Sequence, residues 1–315
     1  MVGKDKFNDE FDKKAKKAFP AQIHMLSGCQ DIHTSGDVTN VGRFKLPSAQ
    51  DQAGGACTAA LLRMLYAARE SACDQDLSWV RLLRSMKQNL KAKGIDHIPQ
   101  LTSSRLTDVN MPCVFVNPDH PRGTKRAVLI GINYSGQEGE LAGCHNDVRN
   151  MKVYLETIHL FKPEHILILM DDGIHSPPTK RNIMNAYDGL ARQTKAGDTV
   201  FCQYVGHGGR VQNKADGFDG TLIPIDFRTS GHISGDDILQ ELIKPMPSGA
   251  FVTYLMDCCH SGTVLNLPYR FTADGDDAVR IERDKNIDFD NLLGGVVYCC
   301  FGFFECMVRG DSRVS

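Results

Sequence analysis

Four short runs, "AVLIGINY", "HILILMDD", "TVFCQYVG" and "AFVTYLMD", are apolar almost without interruption. Such runs must bury both faces of a strand, since strict alternation would leave one face polar. Helical stretches lie between the first three, and a loop-rich insertion with a short helix precedes the fourth. That alternation predicts an α/β fold: a mostly parallel sheet with helices on both faces. An earlier run, "AQIHMLSG", reads as a further buried strand ending in a turn.

Residues 1–20 alternate charges with few apolar positions and read as a charged arm or exposed helix. The polar stretch from Asp31 to Gly55 reads as a loop. Two helices follow, "TAALLRMLYAARESA" and "LSWVRLLRSMKQNLKAKG", the second stopped by Gly94. Residues 99–125 lack a sustained period and read as a connector. "LLGGVVYCCFGFF" is too short to span a bilayer and meets Glu305, so a terminal strand is expected there. The chain is expected to form one compact domain of 315 residues.

A net charge of −2 gives no reason to expect nucleic acid or an anionic membrane as a partner. Lys4, Asp5 and Lys6 stand where a signal peptide would place apolar residues, so a cytosolic compartment is expected. The odd count of 11 cysteines excludes complete pairing within the chain, and the absence of a CxxC pair argues against structural zinc.

Ligand sites on open parallel sheets lie beyond the carboxyl ends of the strands. Two of those ends carry reactive side chains. "TVFCQYVGHGG" delivers His207 among glycines, and "FVTYLMDCCHSG" delivers a cysteine pair, Cys258 and Cys259. Adjacent strand residues point to opposite faces, so only one of the pair can face His207. An imidazole that takes a thiol proton makes a thiolate able to attack a carbonyl carbon. Glycines beside each residue let backbone N–H groups approach a developing oxyanion.

"YVGHGG" and "DCCHSG" resemble the histidine and cysteine motifs of the metacaspases, in the caspase-like cysteine peptidase clan. "RAVLIGINY", "LAGCHNDV" and "DGFDGTLIPIDF" resemble the surrounding segments of that family, and the close likeness covers residues 125–269. In the family the nucleophile directly precedes His-Ser-Gly, which implies Cys259, with His207 as base and the amides of Cys259 and Gly208 as oxyanion donors. No third catalytic residue can be assigned from the sequence. "QIHMLSGCQDIHTSGDV" and "WVRLLRSMKQNLKAKGIDHIPQL" resemble small-portion segments that ordinarily follow the catalytic portion, yet here they precede it. The likeness is therefore to the type III arrangement: a small-subunit-like segment over 21–110, a linker over 111–124, a catalytic segment over 125–290 and a strand with a tail over 291–315. Joining old termini and breaking an exposed linker preserves a fold while changing its connectivity.

The resemblance implies that Cys144, Asp147, Val205 and Asp257 line the first specificity pocket. Two carboxylates in a closed pocket suit a cation, best a guanidinium, so cleavage after Arg or Lys is expected. Val205 stands where the family has a serine. The family's calcium site falls on Asp219, Gly235, Asp236 and Asn266, with Asp237 adjacent, and hard oxygen ligands suit Ca2+. Cys202 and Cys258 are candidates for redox regulation of Cys259, Cys202 through a disulfide if the Cα atoms lie within about 7 Å. The expectation is thus a monomeric, calcium-stimulated cysteine endopeptidase acting on peptides. The alternatives are a non-proteolytic redox scaffold on the same fold and a thiol acyltransferase or other hydrolase.

Overall fold

The computed structural model describes residues 9–28, 37–38, 54–70, 77–95, 97–212, 218–258, 264–273, 279–284, 287–290 and 292. Its strands are β1 (Gln22–Ser27), β2 (Asp37–Val38), β3 (Gly54–Gly55), β4 (Gln100–Ser103), β5 (Lys125–Gly131), β6 (Ile166–Met170), β7 (Thr199–Val205), β8 (Gly208–Gln212), β9 (Phe218–Leu222), β10 (Ile233–Ser234), β11 (Phe251–Asp257), β12 (Tyr269–Thr272) and β13 (Arg280–Arg283). The helices are α1 (Asp9–Ala18), α2 (Ala56–Glu70), α3 (Trp79–Lys91), α4 (Cys144–Ile158), α5 (Lys180–Gln193), α6 (Phe227–Ser230) and α7 (Gly235–Ile238).

Eight strands form one sheet in the order β13-β12-β4-β1-β11-β7-β5-β6. The five strands β1, β11, β7, β5 and β6 run parallel, each to the next. These are the five apolar runs of the sequence. In β7 and β11 every residue is buried, as central strands covered on both faces require. β6, at the edge, leaves Leu167 45% exposed, so its apolar run is only half covered.

α2, α3 and α4 share one face. Thr58 of α2 meets Gln203 and Asp257, Trp79 of α3 packs edge-on against His24, and Tyr66 of α2 stacks edge-on with Tyr154 of α4. α5 covers the other face, where the hydroxyl groups of Tyr187 and Tyr254 are hydrogen-bonded. Ser78 caps α3 by accepting from the Arg81 N–H, and Gly94 adopts φ +77° after its last turn.

The early position of β1 in the chain has a definite consequence in space. β1 pairs along its whole length with β11, Gln22 opposite Phe251 and Ser27 opposite Met256. A strand of the N-terminal third therefore completes the sheet beside the strand that leads to Cys259.

Three expectations change. Residues 9–18 are a docked helix rather than an arm: Ala15 is buried, Phe11 packs edge-on against Tyr269 and Phe289, and Asp12 is hydrogen-bonded to Tyr269. The connector contains β4, antiparallel to both β1 and β12. Its four residues, QLTS, are all buried yet mostly polar, so burial there leaves no apolar run to read. Within the stretch read as a loop, Asp37–Val38 pairs with Gly54–Gly55. Of the run 292–304 expected as a terminal strand, all but Leu292 lies outside the described residues. Among the described residues no helix is long and apolar enough to cross a membrane.

Candidate active site

β7 ends at Val205, and the chain turns through Gly206 to His207. The Gly206 turn is tight: a Cβ there would stand 3.1 Å from the Tyr204 hydroxyl and 3.2 Å from that of Tyr134. His207 is half-buried, and three contacts fix it. Its backbone N–H donates to the Tyr134 hydroxyl at 3.0 Å, and its carbonyl lies 2.8 Å from the Tyr204 hydroxyl. The Tyr134 ring lies against the imidazole with centroids 4.7 Å apart.

A fourth contact bears on chemistry. Nε2 of His207 is 2.6 Å from the carbonyl oxygen of Gly139. A carbonyl can only accept, so Nε2 carries the hydrogen, and Nδ1 is left as the basic nitrogen of the neutral ring. Gly139 approaches this closely because it has φ +82° and no side chain; a Cβ would lie 3.1 Å from Nε2. Sequence reasoning missed both Gly139 and Tyr134, since a backbone acceptor leaves no residue-type signal. The glycines in "YSGQEGEL" were the available hint.

Burial pushes the Tyr134 and Tyr204 hydroxyls well above the usual tyrosine range, so both remain neutral. The Tyr134 hydroxyl donates to the Ile223 carbonyl at 2.5 Å while accepting from His207, and the Tyr204 hydroxyl accepts from the Ile223 N–H at 3.1 Å. Gly208 follows His207 at the start of β8, opposite Leu222. Cys259 lies outside the described residues.

Asp257 and Val205 end their strands in register with each other, β11 beside β7. Cys144 and Asp147 occupy the first turn of α4, both buried. All four expected pocket residues are therefore brought to one end of the sheet. The start of α2 ties the two carboxylates together. Asp147 Oδ2 accepts from the Gly55 N–H at 2.5 Å, and Asp257 Oδ2 accepts from the Thr58 N–H at 2.8 Å. A Cβ on Gly55 would fall 2.3 Å from Asp257 Oδ2 and 2.9 Å from Asp147 Oδ2, which sets those oxygens within about 5 Å of each other. α2 has no acidic residue in its first turn, so these two aspartates supply the negative charge that a helix N-terminus favours. Asp257 and Asp147 are 4% and 1% exposed.

The expected calcium ligands lie on β9, at α7 and just beyond Val264. Asp237 forms a capping box with Ser234 and lies 3.6 Å from the Lys180 ammonium group. Asp236 sits in the same helical turn, Asp219 on β9, and Asn266 two residues beyond Val264, whose carbonyl abuts Gly235. Among the described residues no three His, Cys, Asp or Glu side chains are grouped to hold a metal ion.

Cys258 and Cys202 lie on the same face of the sheet. Cys258 is buried on the side of Tyr204 and Tyr254, opposite Asp257, and presses on the ionisation of both tyrosines. Cys202 is fully buried, and that burial pushes its thiol well above the usual cysteine range. The disulfide expected between Cys202 and Cys259 involves a residue outside the described ones. Cys202 stands opposite Tyr254, four residues before Cys258, a separation of roughly 13 Å along the strand.

Comparison with known proteins agrees with this architecture. A family model described as "Metacaspase, peptidase C14 domain" matches residues 125–268. The chain is 48% identical over 292 residues to "Metacaspase III c" of Phaeodactylum tricornutum, covering 91% of this chain and 86% of that one. It is 43% identical over 159 residues to "Metacaspase-1B" of Neurospora crassa, covering 49% of this chain and 37% of that protein. With "Metacaspase-1" of Coccidioides immitis the identity is 42% over 210 residues, 60% of this chain and 44% of that one. The chain thus spans less than half the length of these last two relatives. With a histidine and a cysteine motif at neighbouring strand ends, a matching family model and a relative alike over nearly its whole length, this chain belongs to the metacaspases and is a cysteine-type peptidase of family C14.

Proposed function

We propose that the protein hydrolyses peptide bonds after Arg or Lys through a Cys259–His207 dyad. The observation that carries this reading is the buried pair Asp147 and Asp257, held within about 5 Å of each other at the strand ends next to His207. A buried pair of carboxylates repels anionic side chains and rewards a guanidinium or ammonium group that reaches both.

In this reading Nδ1 of His207 takes the Cys259 proton, and the thiolate forms a bond to the scissile carbonyl carbon. The oxyanion accepts from backbone N–H groups, with those of Gly208 and Cys259 as candidates. The tetrahedral species collapses as the C–N bond breaks, and His207 returns its proton to the leaving amine. Water then loses a proton to His207 and attacks the thioester, which releases the acid and restores the thiol. The Gly139 carbonyl stabilises the imidazolium formed in both halves by holding Nε2–H.

Calcium stimulation belongs to this reading through Asp219, Asp236 and Asn266, whose oxygens suit a hard cation. No step above uses the ion.

The test compares fluorogenic peptides ending in Arg, Lys or Asp, with wild type, Cys259→Ala and Asp257→Asn. Arg and Lys peptides should be cut and the Asp peptide spared, and Cys259→Ala should be inactive. Asp257→Asn should lose about 2 kcal/mol of transition-state binding, roughly 30-fold in kcat/KM. Equal turnover of the Asp peptide would overturn the specificity, and an active Cys259→Ala the nucleophile.

A further inference from the structure

Tyr134 has φ +54°, the left-handed region that costs a bulky residue about 1–3 kcal/mol unless its surroundings enforce it. The enforcing group is Asp171, just past the end of β6, 7% exposed at its side chain. Its Oδ1 accepts from the Asn133 N–H at 2.9 Å and its Oδ2 from the Ser135 N–H at 3.3 Å. One carboxylate thus grips the amides on both sides of Tyr134. The same Oδ1 is 2.6 Å from His145 Nε2. Burial alone would push the carboxyl of Asp171 up, but the His145 ring and the two amides outweigh it and hold it below the usual range.

The anchored segment also closes on itself. The Asn133 carbonyl accepts from the Leu141 N–H at 2.7 Å, and the Asn133 side chain accepts from the Cys144 N–H at the start of α4. The loop between Asn133 and Leu141 carries the two groups described against the His207 imidazole, the Tyr134 ring and the Gly139 carbonyl.

We propose that Asp171 and Tyr134 are positioning residues for catalysis: Asp171 locks Tyr134 and the loop behind it, and the locked loop sets the orientation and the Nε2–H tautomer of His207. This deepens the dyad reading and rests on it. Asp171 touches neither the substrate nor the imidazole, so its effect must pass through the loop.

The experiment uses Asp171→Asn and Tyr134→Phe in the full chain, with Leu90→Ala, a buried core change in α3, as a control for general destabilisation. Three quantities are read: kcat and KM on the Arg peptide, the rate of Cys259 alkylation by iodoacetamide, and the 15N signals of His207, assigned by their loss in His207→Gln. Misplacing a reacting group by an ångström costs about 100-fold. Asp171→Asn should accordingly lower kcat by about 10- to 100-fold with KM within about twofold. It should also slow alkylation and convert the Nε2–H signal to a mixture of tautomers. Tyr134→Phe keeps the ring and loses the bond to the His207 amide, and should lower kcat about tenfold. If Asp171→Asn does not fold, Tyr134→Phe decides alone. Unchanged kcat and His207 signals in a folded variant, or the same losses in Leu90→Ala, would overturn the proposal. Should wild type cut neither Arg nor Lys peptides, the specificity reading fails, while the alkylation and tautomer readouts still decide this one.

Discussion

Replacing Gly55 by Ala tests whether the start of α2 sets the geometry of the acidic pocket. The added Cβ would stand 2.3 Å from Asp257 Oδ2, 2.8 Å from its Cγ and 2.9 Å from Asp147 Oδ2. All three approaches are shorter than a carbon can tolerate, and both carboxylates are buried, so something must move. Overpacking of this kind costs about 1–3 kcal/mol. In a chain of this size that lowers Tm by roughly 2–10 °C. Either the helix retreats or Asp147 turns away, and each loses the 2.5 Å bond from the Gly55 amide. A hydrogen bond to a charged group is worth about 1.5–3 kcal/mol, so kcat/KM for an Arg peptide should fall about 10- to 100-fold. Cys259 alkylation should be unaffected, because the change leaves His207 and Gly139 alone. Gly189→Ala is the control: it lies within α5 with open space around its Cα, and should raise stability by about 0.5–1 kcal/mol. Thermal melts and steady-state kinetics measure both variants. A Gly55→Ala protein with wild-type Tm and wild-type kcat/KM would refute the assignment of α2 to the pocket wall.

Gly139→Ala should lower kcat by roughly 10- to 100-fold without raising KM, since its φ of +82° and the 3.1 Å approach to Nε2 together displace the carbonyl that holds His207; unaltered kcat removes that carbonyl from the mechanism. His24 is buried between Trp79 and Phe251, and burial lowers its pKa to about 4. Below about pH 6.5 the unfolded chain binds a proton that the folded chain refuses, so this stability is present above pH 6.5 and falls by about 3 kcal/mol towards pH 4. Denaturant titrations across that window should show the slope, and His24→Phe should flatten it. Adding calcium to chelator-treated protein should raise the rate on an Arg peptide, and Asp236→Ala should blunt the response; no change in protein proven metal-free ends the calcium assignment. Asp237→Ala should instead lower stability in the absence of calcium by about 1 kcal/mol of lost capping, read as a lower Tm.

Five parallel strands were legible because an unbroken apolar run has no other economical burial, and His207 because a reactive side chain at a strand end is conspicuous. β4 was not, since Gln100, Thr102 and Ser103 are buried by neighbouring strands rather than by their own apolarity. Nor were Gly139 and Asp171: one acts through its carbonyl, the other by accepting from two amides, and backbone partners are invisible in a sequence. Gly55 read as an ordinary loop glycine. Its requirement comes from two aspartates 92 and 202 residues further along the chain.

β1 lies at the sheet's centre although it is made early in synthesis, and its partner β11 begins with Phe251, opposite Gln22. At about 5–20 residues per second, some 10–50 s pass on the ribosome between the two strands. Throughout that interval β1 has no β11 to pair with, and α2 has no Asp257 to meet the Thr58 amide. The acidic pocket of a nascent chain is therefore incomplete until nearly all of the catalytic segment has emerged. Segment order thus acts as a clock: the pocket walled by Asp147 and Asp257 cannot assemble while most of the chain is still being made.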